Sequence, residues 1–223
     1  MRPFAYLFNT YWSELQPVAV ATDALPRFRL PPNFLPRSVS DNGPLPASQW
    51  SDGLIRALEG LASSHVVLLL EDYWLTRTVD HHGVATLTEW AENHPDVLRV
   101  DLTDDRQYNG RMEDIGTWGH YDLVETPGDS EYQMSLQAGI WNREALLSVL
   151  HPGMSPWDVE LHTGPRLHGR KNLRVVGTRQ SPMRYVNAFK SGKGHQLQNL
   201  GRIPKDHLKH IRSKGWLSQT SSS

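Results

Sequence analysis

Two adjacent carboxylates, Glu71 and Asp72, follow directly on an apolar run of five residues, VVLLL. Such a run predicts a strand buried on both faces, so the two acids would lie half-buried at its carboxyl end. Two neighbouring negative charges are costly there unless a cation offsets them. Mg²⁺ and Mn²⁺ use one or two carboxylates together with substrate phosphates. The alternative is a helix cap or an ion pair with an arginine.

A second pair of carboxylates, Asp158 and Glu160, lies in the segment SPWDVE. One of them would serve as a general base, with Trp157 forming an apolar wall against a sugar or a nucleobase. The alternative is that the segment begins a helix, where acidic side chains favour the N-terminal end of the helix dipole. The spacing leaves both interpretations open.

Lys193 and His195 belong to a glycine-containing segment, SGKGHQ, which is either a loop closing over phosphates or a plain surface loop. In the first case His195 would supply an imidazole to a metal. The sequence contains no G-x-x-x-x-G-K-[ST], G-x-G-x-x-G or G-x-S-x-G pattern, so the common phosphate loops and the hydrolase nucleophile elbow are excluded. It also contains no cysteine, which excludes disulfides, zinc–thiolate sites and thiol nucleophiles.

The formal net charge of −1 hides a strong asymmetry along the chain. Thirteen of the 23 Lys and Arg residues lie in residues 165–223, where Asp206 is the single acidic residue, so this segment carries +12. Residues 1–164 hold ten arginines and 23 acidic residues, which gives −13. The split indicates a basic segment that meets a polyanion, or one that folds back onto the acidic body.

The elements that would position these side chains alternate between strands and helices. Apolar runs predict strands at residues 4–8, 17–22, 65–70, 97–102, 172–178 and 183–188, with an extended segment at 132–141. Helical spacing and caps predict helices at residues 51–63, 80–93, 142–150 and 204–215, and long irregular segments at 23–49 and 104–119. This order predicts an α/β fold with a mostly parallel mixed sheet flanked by helices. Ligands of such sheets bind beyond the carboxyl ends of the strands, which places residues 9–12 and 71–74 at one site.

The length of 223 residues predicts one domain, with residues 1–164 as its core and residues 165–223 as basic strands, a loop and a helix that complete it. No apolar run approaches the roughly 20 residues that a membrane span needs. The first residues lack the apolar stretch of a signal peptide, so we expect a cytoplasmic protein without a membrane span.

Three segments together resemble small GT-A-type, family 2-like glycosyltransferases of bacteria and phages. They are QWSDGLIRALEGLASSHVVLLLEDYWLTRTVD, YQMSLQAGIWNREALLSVLHPGMSPWDVE and YVNAFKSGKGHQLQNLGRI, in this order along the chain. The resemblance implies a GT-A-like, Rossmann-like fold, a nucleotide-sugar donor with UDP-glucose favoured, and Mn²⁺ or Mg²⁺. The family's usual Asp-x-Asp is here only an acidic pair followed by Tyr73 and Trp74.

The resemblance also assigns roles to residues of this chain. It implies Glu160 as catalytic base with Asp158 as second candidate, and Asp72, with Glu71 beside it, as metal ligand. His195 of the SGKGHQ segment is the second candidate metal ligand. Donor-binding residues would be Asn9, Thr10, Tyr11, Trp50, Ser51, Glu71, Gln137, Gly139 and Lys193. Acceptor-binding residues would be Tyr73, Trp74, Trp157, Arg170 and Lys171.

A single base and direct displacement would invert the anomeric centre, so we expect an inverting hexosyltransferase. The +12 segment favours double-stranded DNA as acceptor, because Lys and Arg that neutralise phosphates release counterions. Relatives in phage genomes point to a 5-hydroxymethyl pyrimidine such as 5-hydroxymethylcytosine as the modified base. The alternatives are a surface-polysaccharide glycosyltransferase and a non-catalytic nucleic-acid-binding module.

Overall fold

The computed structural model describes residues 1–109, 111–190 and 196–217. Its helices are α1 Arg2–Tyr11, α2 Trp50–Glu59, α3 His81–Glu92, α4 Arg143–Val149, α5 Pro156–Leu167 and α6 Lys205–Ser213. Its strands are β1 Val18–Thr22, β2 Phe34–Ser38, β3 His65–Leu68, β4 Tyr73–Leu75, β5 Val97–Asp101, β6 Glu113–Trp118, β7 Tyr121–Glu125, β8 Gly139–Asn142, β9 Arg174–Thr178, β10 Tyr185–Asn187, β11 Phe189–Lys190 and β12 Gln196–Leu197. The predicted α/β class is confirmed.

The main sheet has six strands in the order β3-β8-β5-β9-β7-β6. Only β5 and β9 pair in parallel, and the other four pairings are antiparallel. The expectation of a mostly parallel sheet is therefore wrong. Residues 104–119 were expected to be irregular, yet they contain β6, which forms a hairpin with β7. Antiparallel neighbours need only such a short turn, whereas parallel ones need a crossover.

Helices cover both faces of this sheet. Alternate residues along a strand point to opposite faces, so Ile140 of β8 packs in one apolar cluster and Trp141 in the other. The first cluster includes α1, α3 and α6, and the second includes α2, α4 and α5. The sheet is thus the middle layer of three.

Residues 4–8 were expected to form a strand, and this expectation is wrong because they lie within α1. Pro3 occupies the first turn, where its missing N–H costs nothing. Phe4, Leu7 and Phe8 are buried and follow helical spacing. A short apolar run is compatible with the periodicity of a helix and with that of a strand. The elements that pack against it determine which of the two forms.

The strand expected at residues 65–70 is present as β3, but it is not buried on both faces. It pairs only with β8 and therefore forms an edge of the main sheet. All six residues from His65 to Leu70 are only partly buried. The β1–β2 pair forms a separate parallel sheet, and neither of its strands pairs with β3.

Several predicted helix ends are confirmed. Asp80 caps α3 by accepting the Gly83 N–H at 2.9 Å, and Asn142 caps α4 by accepting the Ala145 N–H at 3.0 Å. Gly215 follows α6 with a positive φ of 63°, a conformation that favours glycine after a helix. None of the helices in the described part of the chain is long and apolar enough to cross a membrane.

Candidate functional site

Three strands of the main sheet run in the same direction and end at the same edge. Both β3 and β5 are antiparallel to β8, and β9 is parallel to β5. The residues after Leu68, Asp101 and Thr178 therefore share this edge with the residues before Gly139. This carboxyl edge is where ligands of α/β sheets usually bind.

Glu160 of α5 reaches this edge. Its Oε1 accepts the backbone N–H of Leu136, with 2.6 Å between nitrogen and oxygen. Burial raises the pKa of Glu160, and the Leu136 N–H and the positive charge of Arg99 offset only part of that rise. Asp105 adds to the rise. A half-buried carboxylate with a raised pKa is suited to accept a proton near neutral pH.

Two stacked tyrosines fix the segment that holds Glu160. The rings of Tyr73 and Tyr185 lie 4.3 Å apart at 15°, on the paired strands β4 and β10. Tyr73 donates its hydroxyl to the Leu136 carbonyl at 3.3 Å, and Tyr185 donates its hydroxyl to Oε1 of Gln137. Burial raises both tyrosine pKa values, so both remain donors.

Behind this segment lies a buried charge network that sequence reasoning missed. Asp101 is fully buried and pairs with both Arg99 and Arg106, with 2.6 Å from the Arg106 Nε to the Asp101 carboxylate. Asp105 accepts from both arginines, at 3.3 and 3.1 Å. The signal in the sequence is charged residues inside and just after an apolar strand, LRVDLTDDR. Buried charges of this kind are retained only when they are paired.

Asp72 lies at the same edge, half-buried, beside the exposed Glu71. Burial is the main cause that raises the pKa of Asp72, and the charge of Glu71 raises it further. The Asp72 carbonyl accepts the Ala188 N–H at 2.8 Å, so the stem of the β11–β12 hairpin lies directly beside it. Lys193 and His195, the candidate phosphate and metal contacts of the SGKGHQ loop, lie outside the described residues.

The described residues contain no group of three or more His, Asp or Glu side chains placed to hold a metal ion. The donor set that remains is Asp72 with Glu71, two carboxylates of which one is desolvated. This set suits a hard cation that takes its other ligands from phosphate and water. It does not suit a structural site made wholly of protein ligands.

A cleft of about 1510 Å³ lies in front of the two acids. Residues of β1, α2 and β3 line it, together with Trp50, Glu71, Asp72 and Trp157. Trp157 is 50% exposed. The structure thus brings together four of the predicted site residues around one large opening.

Three of the other predicted residues are part of the core. Trp74 is fully buried, with an edge-on contact to Phe189, and Tyr73 is 4% exposed. The prediction that these two aromatics contact the acceptor is therefore wrong, because β10 and α1 cover β4. Gly139 is buried between β3 and β5, and a Cβ there would come within 2.9 Å of the Arg99 Nε. A glycine at position 139 therefore leaves space for the Arg99 side chain and not for a sugar.

The predicted donor-binding residues of α1 do not face the cleft. The side chain of Asn9 exchanges hydrogen bonds with Asn33, and Thr10 bonds the carbonyl of Tyr6. Tyr11 packs edge-on against His207. These residues lie elsewhere because residues 2–11 form a helix instead of a strand that ends at the sheet edge.

Ser51 and the pair Arg170 and Lys171 also lie away from the predicted contacts. Ser51 is fully buried, and its hydroxyl accepts the Met154 N–H at 2.9 Å, so it joins α2 to the loop before α5. Arg170 and Lys171 are exposed just before β9, at the amino edge of the sheet. They are thus at the opposite end of the strands from Asp72.

Asp158 has a structural role in α5. Ser155 and Asp158 form a capping box, in which the Ser155 hydroxyl accepts the Asp158 N–H and the Asp158 carboxylate accepts the Ser155 N–H at 3.0 Å. These bonds lower the pKa of Asp158. The helix-start interpretation therefore holds for Asp158, while Glu160, two residues further on, turns toward the sheet edge.

The chain was compared with known proteins. No protein-family model matches it. No curated protein matches it significantly in sequence.

Proposed function

We propose that the protein is a glycosyltransferase that moves a hexose from a nucleotide sugar to an acceptor hydroxyl. The observation that carries the proposal is Glu160, a half-buried carboxylate with a raised pKa at the carboxyl edge of the sheet. Trp157, one turn earlier on the same helix, lines the large cleft together with Trp50 and Asp72, whereas Glu160 itself is not among the residues that line it. A titratable group with a perturbed pKa on an element that borders a pocket is a candidate for the catalytic base.

The chemistry assigned to Glu160 is that of a general base. Its carboxylate takes the proton of the acceptor hydroxyl as the oxygen attacks the anomeric carbon, the bond to the donor diphosphate breaks, and the nucleoside diphosphate leaves. One base and one displacement invert the anomeric centre. The tyrosine pair and Leu136 N–H hold the base in position.

Asp72, supported by Glu71, is the residue proposed to hold a divalent cation. A bound Mn²⁺ or Mg²⁺ would stabilise the negative charge that develops on the leaving diphosphate. Without a cation the burial of Asp72 beside a second carboxylate raises its pKa, which is the electrostatic situation that a cation relieves. The GT-A-like fold remains part of this proposal, supported by the codirectional β3, β5 and β9.

DNA carrying 5-hydroxymethyl pyrimidines is the proposed acceptor. In the basic segment, Arg174 and Arg179 pair with acidic residues of the body. The other cations of this segment whose side chains are described form no ion pair with the described acids: Arg166, Arg170, Lys171, Arg184, Arg202, Lys205, Lys209, Arg212 and Lys214. Among the cations whose side chains are described, folding back onto the body thus accounts for two, and the nine named here are available to phosphates.

The test is direct transfer. The protein is incubated with Mn²⁺, hydroxymethylated duplex DNA and a panel of nucleotide sugars, and the DNA is digested and its nucleosides weighed by mass spectrometry. We expect a nucleoside heavier by one hexose with wild type, and none with Glu160→Gln. An unmodified digest together with no Mn²⁺-dependent donor hydrolysis would refute the proposed activity. Retention at the anomeric carbon would remove Glu160 from its role as base.

A further inference from the structure

A second groove, of about 630 Å³, lies along α1 and is separate from the large cleft. Its lining includes Arg2, Tyr6, Asn9, Phe28, Arg29 and Trp216. The cleft is lined by another stripe of the same helix, formed by Phe4, Phe8 and Trp12. The two openings therefore lie on different faces of α1.

Aromatic rings give this groove its shape. Tyr6, Phe28 and Trp216 are each half-buried, so part of each ring is exposed. Tyr6 is held by α6, because its hydroxyl bonds the His207 Nδ1 at 2.8 Å and its ring stacks on His210 at 4.6 Å. Rings that are fixed in this way form a ready surface for flat ligands.

Two arginines, Arg2 and Arg29, line the groove beside these rings, together with one acidic residue, Glu14. Arg2 and Arg29 are exposed, and the Arg2 guanidinium lies 4.4 Å from the centre of the Phe28 ring. Lys214, exposed directly after α6, is two residues before Trp216. Among the described residues, Arg2, Arg29 and Lys214 form no ion pair with an acidic side chain.

We propose that this groove binds the bases of a nucleic-acid strand, with Trp216 and Tyr6 stacking on the bases and Arg2, Arg29 and Lys214 contacting the phosphates. Fixed rings flanked by free cations are the features with which proteins bind single strands. An acidic peptide would use the cations but would leave the rings without a flat partner. The inference rests on the proposed function for the acceptor, and it adds a binding surface on the other side of α1 from the cleft.

The experiment measures binding without any donor, so that it is independent of transfer. A fluorescein-labelled 20-nucleotide single strand, and the same strand in a duplex, are titrated with the full chain at 50 and 200 mM salt. A second strand carries 2-aminopurine, whose fluorescence is quenched when it stacks on an aromatic ring. The variants are Trp216→Ala and the double variant Arg2→Gln with Arg29→Gln. The control is Arg27→Gln, since Arg27 is exposed two residues before Arg29 and does not line the groove.

We expect Trp216→Ala to weaken single-strand binding roughly tenfold and to abolish the 2-aminopurine quenching. The double arginine variant should lower the slope of log affinity against log salt by about one to two. Arg27→Gln should behave as wild type. Equal losses in all variants, unchanged affinity in the groove variants, or no binding by wild type would each overturn the proposal. Donor hydrolysis by a protein that binds no nucleic acid would leave the glycosyltransferase standing while the groove assignment fails.

Discussion

Both backbone polar groups of Leu136 form hydrogen bonds with side chains of the site. Its N–H donates to Glu160 at 2.6 Å, and its carbonyl accepts the Tyr73 hydroxyl at 3.3 Å. Because Glu160 belongs to α5 and Tyr73 to β4, the segment before β8 ties the helix that carries the base to the strand that follows Asp72. The position of the base therefore depends on the sheet edge and not on α5 alone.

Glu160→Gln should lower the rate of transfer by roughly 10²–10⁴, the range for losing a general base. A glutamine oxygen can still accept the Leu136 N–H, so we expect the melting temperature and the affinity for the donor to stay close to those of wild type. The measurements are kcat by product mass, donor affinity by calorimetry and thermal unfolding.

Asp158→Asn is the matched control, since Asp158 lies two residues earlier on the same helix. Its carboxylate caps α5, and an asparagine oxygen can still accept the Ser155 N–H. Transfer should therefore remain near the wild-type rate. A large loss with Asp158→Asn and a small one with Glu160→Gln would reverse the two roles.

The pH dependence of transfer should reflect the raised pKa of Glu160. A general base must be deprotonated, so kcat/KM should rise with pH through that pKa and level off above it. Because burial raises the pKa of Glu160, the acidic limb should lie above the ordinary range for a glutamate. An acidic limb within or below that range would contradict the assignment.

Asp105→Asn tests the raised pKa of Glu160 without changing Glu160 itself. The negative charge of Asp105 contributes to the raised pKa of Glu160, and Arg99 opposes it. Removing that charge should shift the acidic limb of kcat/KM to lower pH. A limb that does not move, or moves upward, would show that another group controls it.

Local signals in the sequence predicted much of the fold. The caps at Asp80 and Asn142 are side-chain contacts with a backbone N–H three residues on, so neighbours in sequence determine them. The direction of β8 and the helical state of residues 2–11 depend on what packs against them. Those partners are distant in sequence, which is why the periodicity of α1 was misread and the sheet was expected to be parallel.

Some of the residues predicted for the site lie together in the structure, and others do not. Trp50, Asp72 and Trp157 line one cleft, and Glu160 lies at the same edge of the sheet. Residues 9–11 were misplaced as a consequence of the wrong secondary structure. The partners Arg99 and Asp105 were missed, because a charge in a strand shows its role only once the charge that neutralises it is located.

Asp72→Asn should raise the stability of the metal-free protein slightly. Burial and Glu71 raise the pKa of Asp72, so the folded state binds this proton more tightly than the unfolded chain. The resulting stabilisation is present at low pH and is lost as the pH rises through the folded-state pKa. At pH 7 the uncharged asparagine should raise the melting temperature by roughly 2 °C, as expected for less than 1 kcal/mol.

With Mn²⁺ present, we expect the wild-type protein to have a higher melting temperature than Asp72→Asn. Mn²⁺ is expected to raise the melting temperature of wild type, because a ligand that binds the folded state stabilises it. It should have little effect on Asp72→Asn. Equal stabilisation of both proteins by Mn²⁺ would show that Asp72 is not a ligand.

Tyr73→Phe should position Glu160 less firmly, because it removes one of the hydrogen bonds that fix Leu136. The variant leaves the Leu136 carbonyl without its side-chain donor, at a cost of about 1 kcal/mol in the free energy of unfolding. Transfer should fall several-fold, far less than with Glu160→Gln. A Tyr73→Phe variant as inactive as Glu160→Gln would mean that this hydroxyl takes part in the chemistry.

Asp101→Asn should destabilise the protein strongly. Asp101 is fully buried between Arg99 and Arg106, and removing its charge leaves two buried guanidinium groups whose remaining ion-pair partner among the described residues is Asp105. Breaking a buried ion pair costs about 3–5 kcal/mol in the free energy of unfolding, which urea denaturation measures. Asp114→Asn is the control, since Asp114 pairs with Arg179 at 2.8 Å on the exposed surface, where solvent screens the pair. Similar losses in the two variants would mean that the buried network contributes no more to stability than a surface ion pair does.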